Sequence, residues 1–364
     1  VSDHDVEAAR ETARAPRASQ GASQGANAQR ATASGTAARW PSRWRDSAVA
    51  SAQPTTGGGS AAAIVRWFDS WAVDPRDAEL DPRRTDWARV VPFVVLHLSC
   101  LLVFVVGWSP VAVLVAVGFY VVRMFAITGF YHRFFSHRSF KTSRPMQFLF
   151  ALLGATAVQR GPLWWASHHR DHHRHSDAEG DVHSPVLDSF WWSHVGWITA
   201  RVNYRTKLEL VKDLARFPEL RFLDRFDALV PLAVLGGMFA LGALLEAVWP
   251  QLGTGPMQMA VWGFAISTVV LYHATFSINS LAHRFGWRAY ETKDDSRNNF
   301  LLALITLGEG WHNNHHHYQA AVRQGHRWWQ VDMTYYALWL MACLGLVWEL
   351  KPVPARALER GRVR

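Results

Sequence analysis

The sequence predicts an all-α integral membrane protein: four transmembrane helices in two hairpins, with a helical cap on the cytosolic side. Length is the first reason, because the apolar stretches at residues 90–107, 111–130, 229–249 and 259–280 each approach the roughly 20 residues of helix that cross a bilayer. Spacing is the second. Only "WSP" separates the first two stretches, and a short segment around "PQLGTGP" separates the last two. Charge is the third, since neither connection carries a Lys or Arg while the long segment between the pairs holds Arg133, Arg138, Lys141, Arg170, Lys207 and others. Basic residues mark the cytoplasmic side. That places the long segment, both termini and everything after Ser280 in the cytoplasm of a cell-membrane protein.

Taken in order, residues 1–63 are rich in Ala, Ser, Gly, Thr, Arg and Gln, too poor in large apolar groups to offset the entropy of ordering. A disordered arm is expected there, with the folded domain at 64–364. The arm has no apolar run resembling a signal-peptide core. It begins with Val1, and its composition raises the expectation that the native start lies near residues 61–67. After the first hairpin, Pro145 to Val158 is too short to span and suits an interfacial helix. The run from Tyr335 to Leu350 would carry the basic end "KPVPARALERGRVR" across the membrane if it spanned, so it is expected to cap the domain instead.

The 19 Trp and 20 Phe among 49% apolar residues fit a lipid interface. Cys100 and Cys343 lie in apolar stretches and read as small buried hydrophobes, with no disulfide framework and no thiolate metal site. A net charge of +9 admits anionic lipid or an acidic protein partner. Nucleic acid is not expected, for want of any recognition motif.

The chemistry-bearing signal is histidine. "HRFFSH" holds His132 and His137, "ASHHRDHHRHSD" holds five more, "HNNHHHY" holds four, and "NSLAH" closes the fourth span with Asn279 and His283. On a helix, positions i, i+3 and i+4 share a face. His169, His172 and His173 satisfy this, as do His312, His315 and His316. His132 and His137 are five apart, about 140° round a regular helix; they converge only if the helix ends or distorts, or if each reaches a different metal. Eight histidines exceed the ligands of one metal, so two are implied, and imidazole suits zinc, copper, iron or nickel. His97 and His273, inside the spans, read as hydrogen-bonded core residues.

These motifs, with "SDAEGDVHSP", "FWWSHVGW" and "GEGWHNNHH" around them, resemble the membrane-bound fatty acyl desaturases of the stearoyl-CoA Δ9 type, from about Trp87 to Pro354. The resemblance implies a four-span mushroom with a cytosolic cap holding a histidine-box di-iron site. Carried over by position, the metal ligands are His132, His137, His169, His172, His173, His283, His312, His315 and His316, with Asn279 holding one iron through water. No catalytic side chain beyond these is implied. The reaction implied inserts a cis double bond, at Δ9, into a saturated acyl chain with O2 as co-substrate. Reducing O2 to two waters takes four electrons, and the two C–H bonds supply two. The other two come from a separate protein, a ferredoxin or a small b-type cytochrome with its reductase, since the chain has no His-Pro-Gly-Gly haem segment.

Asp171, Asp177, Asp181 and Glu309 are candidates to accept the free N–H of ligating histidines; ion pairs with Arg170 or Arg174 are the competing role. His168, His175, His183, His194, His317 and His326 fall outside the ligand set. Acyl-CoA is the expected carrier, yet the family's Arg-Asp contact to CoA is Ser167 and His168 here. Arg160 and Arg201 remain as head-group candidates. A related histidine-box hydroxylase of lipids or alkanes, or a membrane metal carrier, are the competing functions.

Overall fold

The computed structural model describes residues 60–72, 81 and 83–363. Residues 1–59 of the expected disordered arm lie outside the described residues. The remaining four, 60–63, open helix α1 (Ser60–Phe68), so helical structure starts earlier than composition suggested.

Four long apolar helices follow: α2 (Trp87–Val106), α3 (Pro110–Ser136), then, after the cap, α7 (Leu229–Val248) and α8 (Pro256–Ser280). Each is long enough to cross a membrane. Their boundaries follow from capping chemistry. Asp86 accepts the Arg89 N–H at 3.3 Å to start α2, and Gly107 ends it at φ +66°. Ser109 Oγ accepts the Ala112 N–H at 3.0 Å, with Pro110 pre-set for the first turn of α3. Ser109 also bonds Thr254 at 2.5 Å, and Trp262 Nε1 donates to Gly107 O at 2.9 Å, so the two short connections touch. Helix α8 is the inner wall, 61% buried over its apolar window, against 6% for α7 and 11% for α2. Arg123 joins α3 to α8, donating to Thr268 Oγ1 at 2.7 Å and Ser267 Oγ at 2.5 Å.

Between the two helix pairs come α4 (Arg144–Ala155), α5 (Pro162–His175) and α6 (Pro218–Arg225). Ser143 caps α4. One face of α4 packs on α3, with Phe130 and Phe150 stacked at 3.8 Å and the Tyr131 ring lying over Gly154; the other face leaves Phe148 and Leu149 exposed. Asp224 on α6 stitches the layer, accepting from Trp164 N at 2.7 Å, Trp71 Nε1 at 2.9 Å and Thr206 Oγ1 at 2.7 Å. After α8 come α9 (Phe300–Ile305), α10 (His312–His317) and α11 (Met333–Cys343). At eleven residues α11 is too short to span.

Three sequence expectations need correction. The molecule is not purely helical: β1 (Lys141–Thr142) pairs antiparallel with β2 (Val347–Trp348), after Gly345 at φ +72° turns the chain out of α11. Helix α3 continues six residues past the span expected at 111–130 without altering that span, because polar residues inside a protein do not end a helix as they would in lipid. Cys343 is exposed and Cys100 half-buried, since a helix apolar all round turns much of its surface outward, away from the protein core. His97 and His273 are likewise hydrogen-bonded but not core. His97 donates to Phe93 O at 2.8 Å and faces His273 at 3.3 Å, and His273 is exposed.

Candidate metal centre

The histidines of four separate sequence regions converge. His132, His137, His169, His173 and His315 form one group, and His172, His283, His312 and His316 form another; within each, the candidate ligand nitrogens all lie within 4.8 Å of one another. The groups adjoin, with His173 and His316 rings 4.4 Å apart.

How His132 meets His137 is settled by backbone geometry. Residues Ala126–Ser136, the end of α3, form a π-helix, whose bonds run i to i+5. The His137 N–H donates to His132 O at 3.2 Å. A five-residue spacing therefore returns to the same face, and the two rings sit 4.8 Å apart. Helix α5 begins at Gly161-Pro162 and splits its face: His169 and His173 enter the first group, His172 the second. Helix α10 does the reverse, sending His315 to the first group and His312 and His316 to the second. His283 follows the end of α8. Asn279, one residue before that end, is half-buried and lines the cavity beside the centre.

Protonation chemistry shows what this arrangement suits. In the first group the Nε2 atoms form a chain: His132 to His315 at 3.1 Å, His315 to His173 at 2.9 Å, His173 to His169 at 3.0 Å, His169 to His137 at 2.8 Å. An imidazole nitrogen offers one in-plane proton or one lone pair. The three middle atoms each face two neighbours, which single protons cannot satisfy. Converging lone pairs around a cation can. In the second group His283 and His312 Nε2 are 3.0 Å apart, and the buried His316 Nε2 has no hydrogen-bond partner. Two imidazole-rich metal sites fit these residues, and iron is within the range that imidazole suits.

Carboxylates behind the rings fix their orientation. His132 Nδ1 meets Glu309 at 2.5 Å, His172 meets Asp181 at 3.1 Å, His283 meets Asp177 at 2.7 Å and His316 meets Asp294 at 2.7 Å. Each acid accepts a hydrogen bond from Nδ1–H, which leaves the Nε2 lone pair for a metal. Burial, reinforced by neighbouring histidines, holds His137, His169, His173, His312 and His315 well below 6.5, so they are neutral at pH 7, the form a metal would need. Burial also lowers His172, but the Asp181 carboxylate outweighs it and raises the group. Asp177 would be raised by burial, yet hydrogen bonds from His283, Ser184 and the Asp295 N–H bring it to about 2. It is held there at φ +54°, backbone strain of the kind that clusters at functional sites.

Three of the four expected carboxylates therefore take the expected place. Asp171 instead pairs with Lys207 at 2.6 Å and His175 at 3.2 Å, away from both groups. Asp294 was missed, because it sits in the loop "TKDDSRNNF" with no spacing relation to any histidine. Arg133, counted only as a basic residue, is 1% exposed and pairs with Glu309 at 3.1 Å and Asp332 at 3.0 Å. Gln324 reaches Glu309 at 3.2 Å. His175, His194, His317 and His326 stay outside both groups. His183 also stays outside but lies within a smaller cluster with His172 and Asp181.

Next to the first group runs an apolar cavity of about 970 Å³, whose lining includes His169, Trp165 and Asn279. Arg160 lines it, bonded to Tyr204 O at 2.8 Å and paired with Asp227 at 3.3 Å. Arg201 does not appear in that lining and approaches Asp86 at 4.0 Å. Ser167 and His168 are buried, and His168 is hydrogen-bonded to Arg205 O at 3.2 Å.

The fatty acid desaturase family model matches residues 106–344, more than half of the chain. The chain belongs to the fatty acid desaturase family. The palmitoyl-monogalactosyldiacylglycerol delta-7 desaturase, chloroplastic, of Arabidopsis thaliana is 37% identical over 302 residues, 82% of this chain and 74% of the relative. The sn-1 stearoyl-lipid 9-desaturase of Anabaena variabilis is 35% identical over 270 residues, 73% of this chain and 94% of the relative. An acyl-CoA 5-desaturase of Anemone leveillei is 36% identical over 281 residues, 76% of this chain and 82% of the relative. The desaturase family makes this chain an oxidoreductase of lipid metabolism, and its four apolar helices fit a membrane protein. By their names the relatives act on both lipid-linked and CoA-linked chains, so the stearoyl-CoA type expected from the motifs narrows to the family.

Proposed function

We infer that this desaturase introduces a cis double bond at Δ9 of a saturated acyl chain, using O2, two iron ions held by the two histidine groups, and electrons from a separate protein. The observation that carries this reading is the junction of the metal centre with the apolar cavity: His169 belongs to one and lines the other. Iron held by these histidines would activate O2 toward unactivated C–H bonds, with two electrons from the acyl chain and two from the donor protein completing its reduction to water. The chain's own contribution is to aim nine imidazoles, four of them through carboxylates, to keep His137, His169, His173, His312, His315 and His316 neutral through burial, and to hold an acyl chain against them while excluding water. Asn279, at the same junction, is placed to hold a water beside the centre. Arg160 at the cavity's cap end is the head-group contact we favour; Arg201 stands further back.

The topology we propose has two hairpins, with both termini and the histidine regions cytoplasmic and α4 lying in the interface. The absence of Lys and Arg from the two short connections supports it. The basic cytosolic face suits an acidic electron carrier such as a ferredoxin or a small b-type cytochrome with its reductase. Expression in a host lacking Δ9-unsaturated chains, followed by gas chromatography, tests the function: a new Δ9 alkene is expected. A hydroxylated chain without an alkene would instead identify the related hydroxylase.

A further inference from the structure

The cavity does not end at the cap. Its walls follow the spans: Phe93, Leu96, Ser99 and Leu102 from α2, Leu232, Leu235, Gly236 and Phe239 from α7, and Met257 to Asn279 along α8. From Met257 to Asn279 is 22 residues, about 33 Å of helix at 1.5 Å per residue. The cavity is thus a slot running most of the depth of the spans. Helices α2 and α7 both pack on α8, while no comparable packing joins them to each other. Several lining residues are strongly exposed: Val95 at 56%, Leu232 at 50% and Phe239 at 46%. With α2 and α7 not packed on each other, these residues place the opening of the slot between the two helices.

In a bilayer that opening faces lipid tails, not water. At its cap end the lining changes to Arg66, Arg89, Arg160 and Ser70; Asp227 pairs with Arg160 at 3.3 Å, and Asp86, behind the lining, lies 3.6 Å from Arg66 and 3.7 Å from Arg89, leaving the group one positive charge in excess. Arg89 begins α2, where a lipid phosphate would sit. An apolar slot open sideways, with guanidinium groups at head-group level and a metal centre at its inner corner, matches an acyl chain still attached to a phosphate-bearing membrane lipid.

Resting on the desaturase reading above, we propose that the slot between α2 and α7 is a lateral portal through which an acyl chain esterified to a membrane glycerophospholipid reaches the metal centre. A CoA thioester has no need of this opening, because its head group approaches from water.

Two adjacent glycines allow a matched test. Gly236 lines the slot and Gly237 does not, yet a Cβ added at either meets nothing within 4 Å. Both lie on the same turn of α7, so the loss of glycine's backbone freedom is alike at the two positions, and the thermal unfolding midpoint of each variant is measured alongside. The full chain is reconstituted in vesicles of 1-stearoyl-2-oleoyl-phosphatidylglycerol with a donor system, and the stearoyl chain is followed. Gly236→Phe is expected to slow conversion at least tenfold with iron content unchanged, and Gly237→Phe to stay within twofold of the unaltered chain. Equal rates in all three proteins would overturn the portal, as would conversion of stearoyl-CoA but not of the vesicle lipid. A second readout is independent of turnover. A phosphatidylglycerol with a photoreactive stearoyl chain should cross-link to Leu102, Leu235 or Phe239, and Gly236→Phe should abolish this. Cross-linking there without any desaturation would leave the portal standing and remove the desaturase reading; no cross-linking would remove the portal.

Discussion

At the scale of single residues, the centre separates histidines that look alike in sequence. His172 and His175 are three positions apart on one helix, but His172 lies in the second group, whereas His175 turns to Asp171. His172→Ala and His315→Ala are each expected to lower desaturation at least a hundredfold and to cost bound iron, while His175→Ala keeps at least half the activity. Iron per chain and product yield check both. The facial spacing i, i+3, i+4 made the ligand candidates on α5 and α10 legible from sequence. It could not show that each helix divides its histidines between two groups, because that depends on how α5, α10 and His283 approach one another. Asp294 was equally hidden. Asp294→Asn removes the acceptor behind His316 and is expected to weaken iron retention against a chelator by about 10–100-fold, the usual cost of losing such a partner.

At the scale of elements, the π-helical end of α3 is the feature that spacing alone left open. A regular helix would point His132 and His137 apart; a ladder of i to i+5 bonds brings them together. The spans themselves were legible because length and apolarity are local properties. The small β1–β2 pair was not, since it joins segments more than 200 residues apart. Close packing of α4 on α3 depends on Gly154, where a methyl group would collide with the Tyr131 ring. Tyr131 directly precedes His132, so the contact steadies the metal-bearing turn. Gly154→Ala is expected to destabilise the protein by about 1–3 kcal/mol, the range for overpacking, read as a lower midpoint of thermal unfolding.

At the scale of the whole molecule, nine clustered histidines, most of them buried and His137, His169 and His173 half-buried, join segments from α3 to α10, so metal binding there would be coupled to stability. Iron at a hundred times its dissociation constant adds about 2.7 kcal/mol for one site, and chelation should lower the unfolding temperature accordingly. The metal-free protein has a pH dependence of determined sign. His137, His169, His173, His312 and His315 are held well below 6.5 when folded and return to about 6.5 on unfolding. The unfolded chain therefore binds more protons below that pH, and stability, complete above 6.5, falls as the solution is acidified. Denaturant titrations of the metal-free protein between pH 5 and 8 read this directly.

The claim on which the rest depends is that two iron ions in the histidine groups desaturate an acyl chain held in the adjoining cavity. The most direct measurement is a single-turnover reaction of the purified, iron-quantified protein with O2, reductant and a stearoyl substrate, with the product chain analysed by mass spectrometry. Two irons per chain and a cis-Δ9 monounsaturated product are predicted. A protein holding two irons that consumes O2 and returns only a hydroxylated or unchanged chain would contradict the account.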